Sequence, residues 1–204
     1  SVDALLGTPP RFVNTTLLLG DDRCERFPVD IGQQLDRTAW FDSADWRLYW
    51  QGTDTEQRSF ERRRAVPPRT PPLQIERGFR IKDRAYGLEF TAARALTAGQ
   101  ITHDLVYGLE AALTTLDELR DGLQVNLATG ATSTTILGEN MPMRDFPLTD
   151  VTGIGIFAQD EVAVCHSAWT LIPALRLDYY RLEPRADRVY REDNPAVPVV
   201  ALDE

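Results

Sequence analysis

Lysine is almost missing from this chain of 204 residues: Lys82 stands alone, and the other 21 of its 22 basic residues are arginine. Histidine is confined to His103 and His166, and cysteine to Cys24 and Cys165. Each scarcity removes a class of function. Two histidines and no Cys-x-x-Cys leave too few ligands for a zinc ribbon or a multi-histidine metal centre. Two cysteines do not make a disulfide framework; they read either as one long-range bridge or, the favoured reading, as free thiols that act as small buried hydrophobes. Cys165 and His166 are neighbours whose side chains alternate across a strand, which argues against a Cys-His catalytic pair. The Gly-x-Gly-x-x-Gly fingerprint, the phosphate-binding loop with Lys-Ser/Thr and the Gly-x-Ser-x-Gly elbow are all absent, which removes the common nucleotide and hydrolase signatures. No cofactor, no metal and no catalytic residue are expected.

Long apolar runs are missing too. The leucines at 17–19 make a strand-sized stretch, far short of the roughly 18 residues of a membrane-spanning helix. Residues 1–10 carry Asp3 and Pro9-Pro10 without a basic start, so no signal peptide is expected there. These absences point to a soluble protein, virion-borne or cytoplasmic, that makes no membrane contact.

What is present is mostly strand pattern. Residues 12–19 read as a first strand closed by a turn at Gly20-Asp21-Asp22, and 25–31 as a second. Three of the four tryptophans fall in the block Trp40, Phe41, Trp46, Tyr49, Trp50. Trp46, Leu48 and Trp50 share one face at period two, as a local core or, less favoured, as a stacking platform for a sugar or other ligand. A stiff connector, Pro67-Pro68-Arg69-Thr70-Pro71-Pro72, leads into alternating residues over 73–91, read as a hairpin turning at Asp83-Arg84. The Thr129-Gly130-Ala131 and Gln159-Asp160-Glu161 segments read as further turns. Ile154 with Ile156, Val162 with Val164, and Leu175, Leu177 and Tyr179 read as strands.

The exception is residues 97–120. Ile101, Leu105, Leu109, Ala112, Leu116 and Leu119 recur in steps of three and four, Thr97 and Gln100 fit a capping box, and Gly122 fits a stop. The spacing predicts one long amphipathic helix. The expected fold class is therefore α+β: about nine to eleven short, mostly antiparallel strands around that helix. One globular domain over 1–182 and an extended charged tail over 183–204 complete the expectation.

Charge is unevenly placed. The chain carries a net charge of -9, yet between Arg58 and Arg94 nine arginines and Lys82 face only Glu61, Glu76, Asp83 and Glu89. Arginine's planar fork suits carboxylate and interface pairing. Arg58, Arg62, Arg63, Arg64, Arg69, Arg77 and Arg80 are accordingly read as a partner-binding hairpin. Protein partners, as a homo- or hetero-oligomer, are favoured over nucleic acid because the net acidity opposes a phosphate backbone.

The functional expectation is a non-enzymatic structural or assembly protein, such as a subunit of a viral or phage particle. The alternative is a carbohydrate- or small-ligand-binding protein, possibly a hydrolase, that uses Trp40, Trp46 and Trp50 with Asp42 and Asp45 as polar anchors.

Overall fold

Six long strands form one continuous antiparallel sheet. The computed structural model describes residues 13–164 and 169–195. In chain order the elements are β1 (Thr15–Leu35), β2 (Ser43–Arg63), β3 (Leu73–Ala98), β4 (Ile101–Asn126), three two-residue strands β5 (Thr132–Ser133), β6 (Thr135–Ile136) and β7 (Glu139–Asn140), then β8 (Leu148–Val164), β9 (Thr170–Leu171), β10 (Ala174–Arg185) and a single helical turn and a half, α1 (Arg188–Asp193). The sheet order is β1-β2-β3-β4-β8-β10, each strand beside its chain neighbour but for the short pieces. The pairing is an up-and-down meander with one irregularity, between Thr15 and Leu17.

The long helix expected over 97–120 is overturned: those residues end β3, turn at Gly99-Gln100 and enter β4, which runs 26 residues. The apolar steps of three and four drew on both faces of a strand. In the strand register Ile101, Leu105, Leu109 and Leu119 fall on one side and Ala112 and Leu116 on the other. The period that governs is two: Leu105, Tyr107, Leu109, Ala111 and Leu113 line a single face. Thr97 pairs with Thr102 near the end of β3 and Gln100 sits in the two-residue turn, so neither caps a helix. The turn's Gly99 has φ +65, a left-handed conformation that costs glycine little. Gly122 is no helix stop. It lies inside β4, where an added Cβ would come within 2.6 Å of Ile136 Cδ1 and 2.7 Å of the Glu76 carbonyl.

The α+β class gives way to an almost wholly antiparallel β fold. The turns expected at 20–22, at Asp83-Arg84 and at 159–161 fall inside β1, β3 and β8. Charged residues there do not break the strands, because each pairs within a row of extended neighbours. Thr129 and Gly130 do turn the chain between β4 and β5. Cys165 and His166 lie outside the described residues. Of the expected tail, Glu183 to Arg185 continue β10 and Arg188–Asp193 form α1, while 196–204 lie outside the described residues.

A sheet of this size has little core. Ile75, Ile136 and Met141 form the buried cluster, packed by Leu73 and Met143. It sits where the 127–147 connector folds back over one face of β3 and β4, near the end where the chain leaves β4. α1 docks beside it: Asp187 caps the helix by accepting from the Tyr190 amide, and Arg144 reaches Asp187 at 3.0 Å.

Candidate functional site

The register places two incompatible surfaces back to back. One row across β2, β3, β4, β8 and β10 reads Leu48, Leu88, Ala111, Ile154, Tyr179, and the row two residues along reads Trp46, Phe90, Leu109, Ile156, Leu177. The row between them, on the opposite face, reads Arg47, Glu89, Glu110, Gly155, Asp178. Alternation thus sends the apolar side chains of these rows one way and the charges of β2, β3, β4 and β10 the other.

Among the described residues nothing packs on the apolar side. Leu48 is 45% exposed, Ile154 47% and Ile156 51%, and at the sheet margins Ile31 and Leu175 reach 64% and 65%. A contiguous apolar surface of this extent marks contact with another apolar phase or partner. On β4 the band runs from Leu105 to Leu113, about nine residues. At roughly 3.3 Å per residue and a tilt of about 40° that is on the order of 23 Å tall. The band also drifts. On β1 it comprises Phe27, Val29 and Ile31, which pair with Gly52, Trp50 and Leu48. On β10 it comprises Leu175, Leu177 and Tyr179, which pair with Ala158, Ile156 and Ile154. An apolar belt that slides along the hydrogen-bonded rows is what tilted barrel strands produce.

Aromatic rings border the belt. On one margin Phe27 meets Trp50 edge-to-face at 6.1 Å, with Tyr86 opposite Trp50. On the other, Phe41 meets Phe90 at 6.4 Å, and the Tyr107 hydroxyl donates to the Trp40 carbonyl at 2.9 Å.

The opposite face is polar and flat. Arg47 lies 3.6 Å from Asp30 and 3.9 Å from Glu89. Arg176 bridges Glu110 and Asp178, both at 2.9 Å. Aromatic rings lie over glycines: a Cβ on Gly87 would fall 2.1 Å from Tyr49 Cζ, and one on Gly108 would fall 2.7 Å from Phe157 Cζ.

Past the belt, toward the β2–β3 and β4–β8 connections, both faces become polar. Arg84 holds Asp54 with two bonds of 2.9 and 2.8 Å. The hydrogen bond from Arg58 holds the Glu56 carboxyl below the ordinary carboxylate range. Glu61 is buried with Arg63 at 2.7 Å, Arg77 at 3.6 Å and Thr15 at 2.5 Å. Burial pushes its carboxyl up, but the bonds from Arg63 and Thr15 and the two guanidinium charges outweigh that and leave it lowered.

The expected arginine surface is therefore dispersed. Arg63 and Arg77 point to the polar face and serve Glu61, Arg58 and Arg80 point to the other face beside Glu56, Arg62 lies over the Phe60 ring at 5.8 Å, and Arg64 and Arg69 sit in the β2–β3 connection. The tryptophan set is also divided. Trp46 and Trp50 belong to the apolar belt and Asp45 to the opposite face. Asp42 accepts from the Ala95 amide at 2.7 Å and pairs with Arg37 at 3.0 Å, and Trp40 is 76% exposed on the turn. Among the described residues these five are thus spread over the belt, the opposite face and the turn. Sequence reading missed the set that the sheet does unite on its polar face: Asp30, Arg47, Glu89, Glu110, Arg176 and Asp178. The clue was a charge set between two apolar residues, as in Arg47 between Trp46 and Leu48 and Arg176 between Leu175 and Leu177.

Residues 3–202 match the family model described as TonB dependent receptor-like, beta-barrel. No curated protein matches the chain. The family match overturns the reading of the chain as a viral or phage structural or assembly subunit, and with it the virion or cytoplasmic location and the exclusion of membrane contact. That exclusion rested on helices alone. No helix among the described residues is long and apolar enough to cross a membrane, but alternating strands cross one without any apolar run.

Proposed function

Because the chain belongs to the TonB-dependent receptor-like β-barrel family, we propose that its sheet is a sector of an outer-membrane barrel wall in a receptor that moves solutes across that membrane. The observation that carries this reading is the back-to-back placement of the Leu48–Leu88–Ala111–Ile154 row and the Arg47–Glu89–Glu110 row at one depth. Charges at mid-bilayer are costly when they face lipid. The apolar belt then meets lipid, and the ion-paired face lines the aqueous or protein-filled interior. The six long strands form a sector because bacterial barrels of this kind have about eight strands or more.

The strand ends orient the wall. β3 and β4 join by the short Gly99-Gln100 turn close to the belt, whereas the other ends extend well past Tyr86 and Leu113 before the longer 64–72 and 127–147 connections. Short turns on the periplasmic side and long loops outside are the rule for such barrels, so the 127–147 connector lies at the external mouth.

Bromine-labelled lipid tests the assignment. In reconstituted bilayers, tail-brominated lipid quenches the tryptophan fluorescence, and Trp46→Phe with Trp50→Phe removes most of that quenching. Failure to insert, or quenching that does not depend on these two residues, would refute the wall reading.

A further inference from the structure

The 127–147 connector does not project outward. It folds onto the inner, polar face of β3 and β4, and its attachment to β4 is unusually polar. Glu118 of β4 is wholly buried, one of its oxygens accepts from the Asp145 amide at 2.9 Å, and the other, Oε1, has no hydrogen-bond partner among the described residues. Alongside, the Met143 and Arg120 backbones exchange two bonds of 2.9 Å. Arg144, also buried, gives its guanidinium to Asp117 at 2.5 Å, to Asp187 at 3.0 Å and to the Glu118 carbonyl.

We propose that Glu118 is a proton-controlled latch, which holds the 127–147 connector against the inner wall at the external mouth while neutral and loosens it on ionising. A buried carboxylate oxygen without a partner is costly when charged and much less so when protonated. The charged groups around it do not cancel that cost. Arg120 is shared between Asp145 at 3.1 Å and Glu139 at 3.4 Å, and Arg144 is occupied by Asp117 and Asp187, with the Asp193 carboxylate on its backbone amide at 3.3 Å. On β3 the residue opposite Glu118 is Ile81, followed by Asp83 two positions along, which adds negative charge. Glu118 lies beyond the apolar belt, and burial is the first cause raising its carboxyl above the usual range, with the Asp145 charge adding to it and the Asp145 amide and the two arginines opposing.

The sign follows. The docked connector raises the affinity of Glu118 for a proton, so docking is fully supported below the ordinary carboxylate range and weakens as pH rises through the raised value. Between those two limits the equilibrium changes by roughly tenfold per pH unit.

Amide hydrogen exchange on the whole protein in bilayers tests this. After correction for intrinsic exchange, protection at the Met143 and Asp145 amides falls as pH rises from acid to neutral. In Glu118→Gln, which keeps an acceptor for the Asp145 amide but cannot ionise, protection stays high across the same range. Protection in the wild type that is independent of pH, or an unchanged pH slope in Glu118→Gln, would overturn the latch. If that variant does not assemble, infrared difference spectra of the wild type decide. A protonated-carboxyl band that disappears together with the protection supports the latch, and loss of protection without such a band overturns it. The latch rests on the wall reading only for its position at the mouth, and bilayer insertion is scored separately, so the two fail independently.

Discussion

Tyr49 and Gly87 show how single residues shape the inner face. The tyrosine ring occupies the space a Cβ on Gly87 would need, so the strand keeps a smooth backbone while the ring shields it, a known way to support glycine in sheets. Gly87→Val forces the ring out and is expected to destabilise by about 1 to 3 kcal/mol. Tyr49→Ala in the same background recovers part of that loss, a coupling readable from urea midpoints in a double-mutant cycle. Glu61 makes a second residue-scale prediction. Its carboxyl is lowered in the folded protein, so its contribution is present above the ordinary carboxylate range and is lost as pH falls through the lowered value. Glu61→Gln should be less stable than the wild type near neutrality, and the gap should close in acid. A gap that does not change with pH would contradict the assignment of Arg63 and Arg77 as its partners.

At the scale of the strand, the outward face of β3 and the inward face of its neighbour β4 should tolerate opposite chemistry. Leu88→Arg places a charge in the apolar belt and is expected to cost roughly 2 to 4 kcal/mol in a bilayer, whereas arginine at Ala112, on the inner face, should cost far less. Equal costs, measured by unfolding in bilayers, would mean that the faces are misassigned.

The same comparison explains what was legible in the sequence. Trp46, Leu48 and Trp50, like Leu175, Leu177 and Tyr179, can be read as strand faces because the residues between them are polar. Residues 101–119 cannot, because β4 carries Val106, Ala112 and Leu116 on its inner face as well. Apolar residues on both faces mimic a helical stripe whenever they are counted in threes and fours. The turns misplaced at Gly20 to Asp22 and at Asp83-Arg84 fail for a related reason. Outside the belt both faces of a strand are wet, so charged runs that end strands in small soluble domains are carried straight through here.

For the whole molecule, the largest inversion concerns the meaning of exposure. In the proposed wall, the apolar side chains left uncovered by the sheet are the surface that faces its surroundings, and the charged rows are the interior. The sequence held that pattern in alternation too short-ranged to appear as an apolar run, which is why the absence of long hydrophobic stretches pointed away from the membrane. The candidate site was legible only in part: the belt's tryptophans stood out by type, while Asp30, Arg47, Glu89, Glu110, Arg176 and Asp178 become a set only when six strands are laid side by side. The +6 stretch between Arg58 and Arg94 also changes meaning, since its arginines divide between two faces and five of them, Arg58, Arg63, Arg77, Arg80 and Arg84, pair locally with Glu56, Glu61 and Asp54.

The most direct test is a cysteine scan of β4 from Leu105 to Leu113 in reconstituted bilayers, in a background with Cys24 and Cys165 replaced by serine and with a water-soluble thiol reagent. The wall predicts alternation, with Gly108 left unchanged because Phe157 and the Phe90 carbonyl fill the space a side chain would need: residues 106, 110 and 112 react, and 105, 107, 109, 111 and 113 are protected. Reactivity that repeats every three to four residues, or that is uniform along the segment, would contradict a two-faced membrane wall.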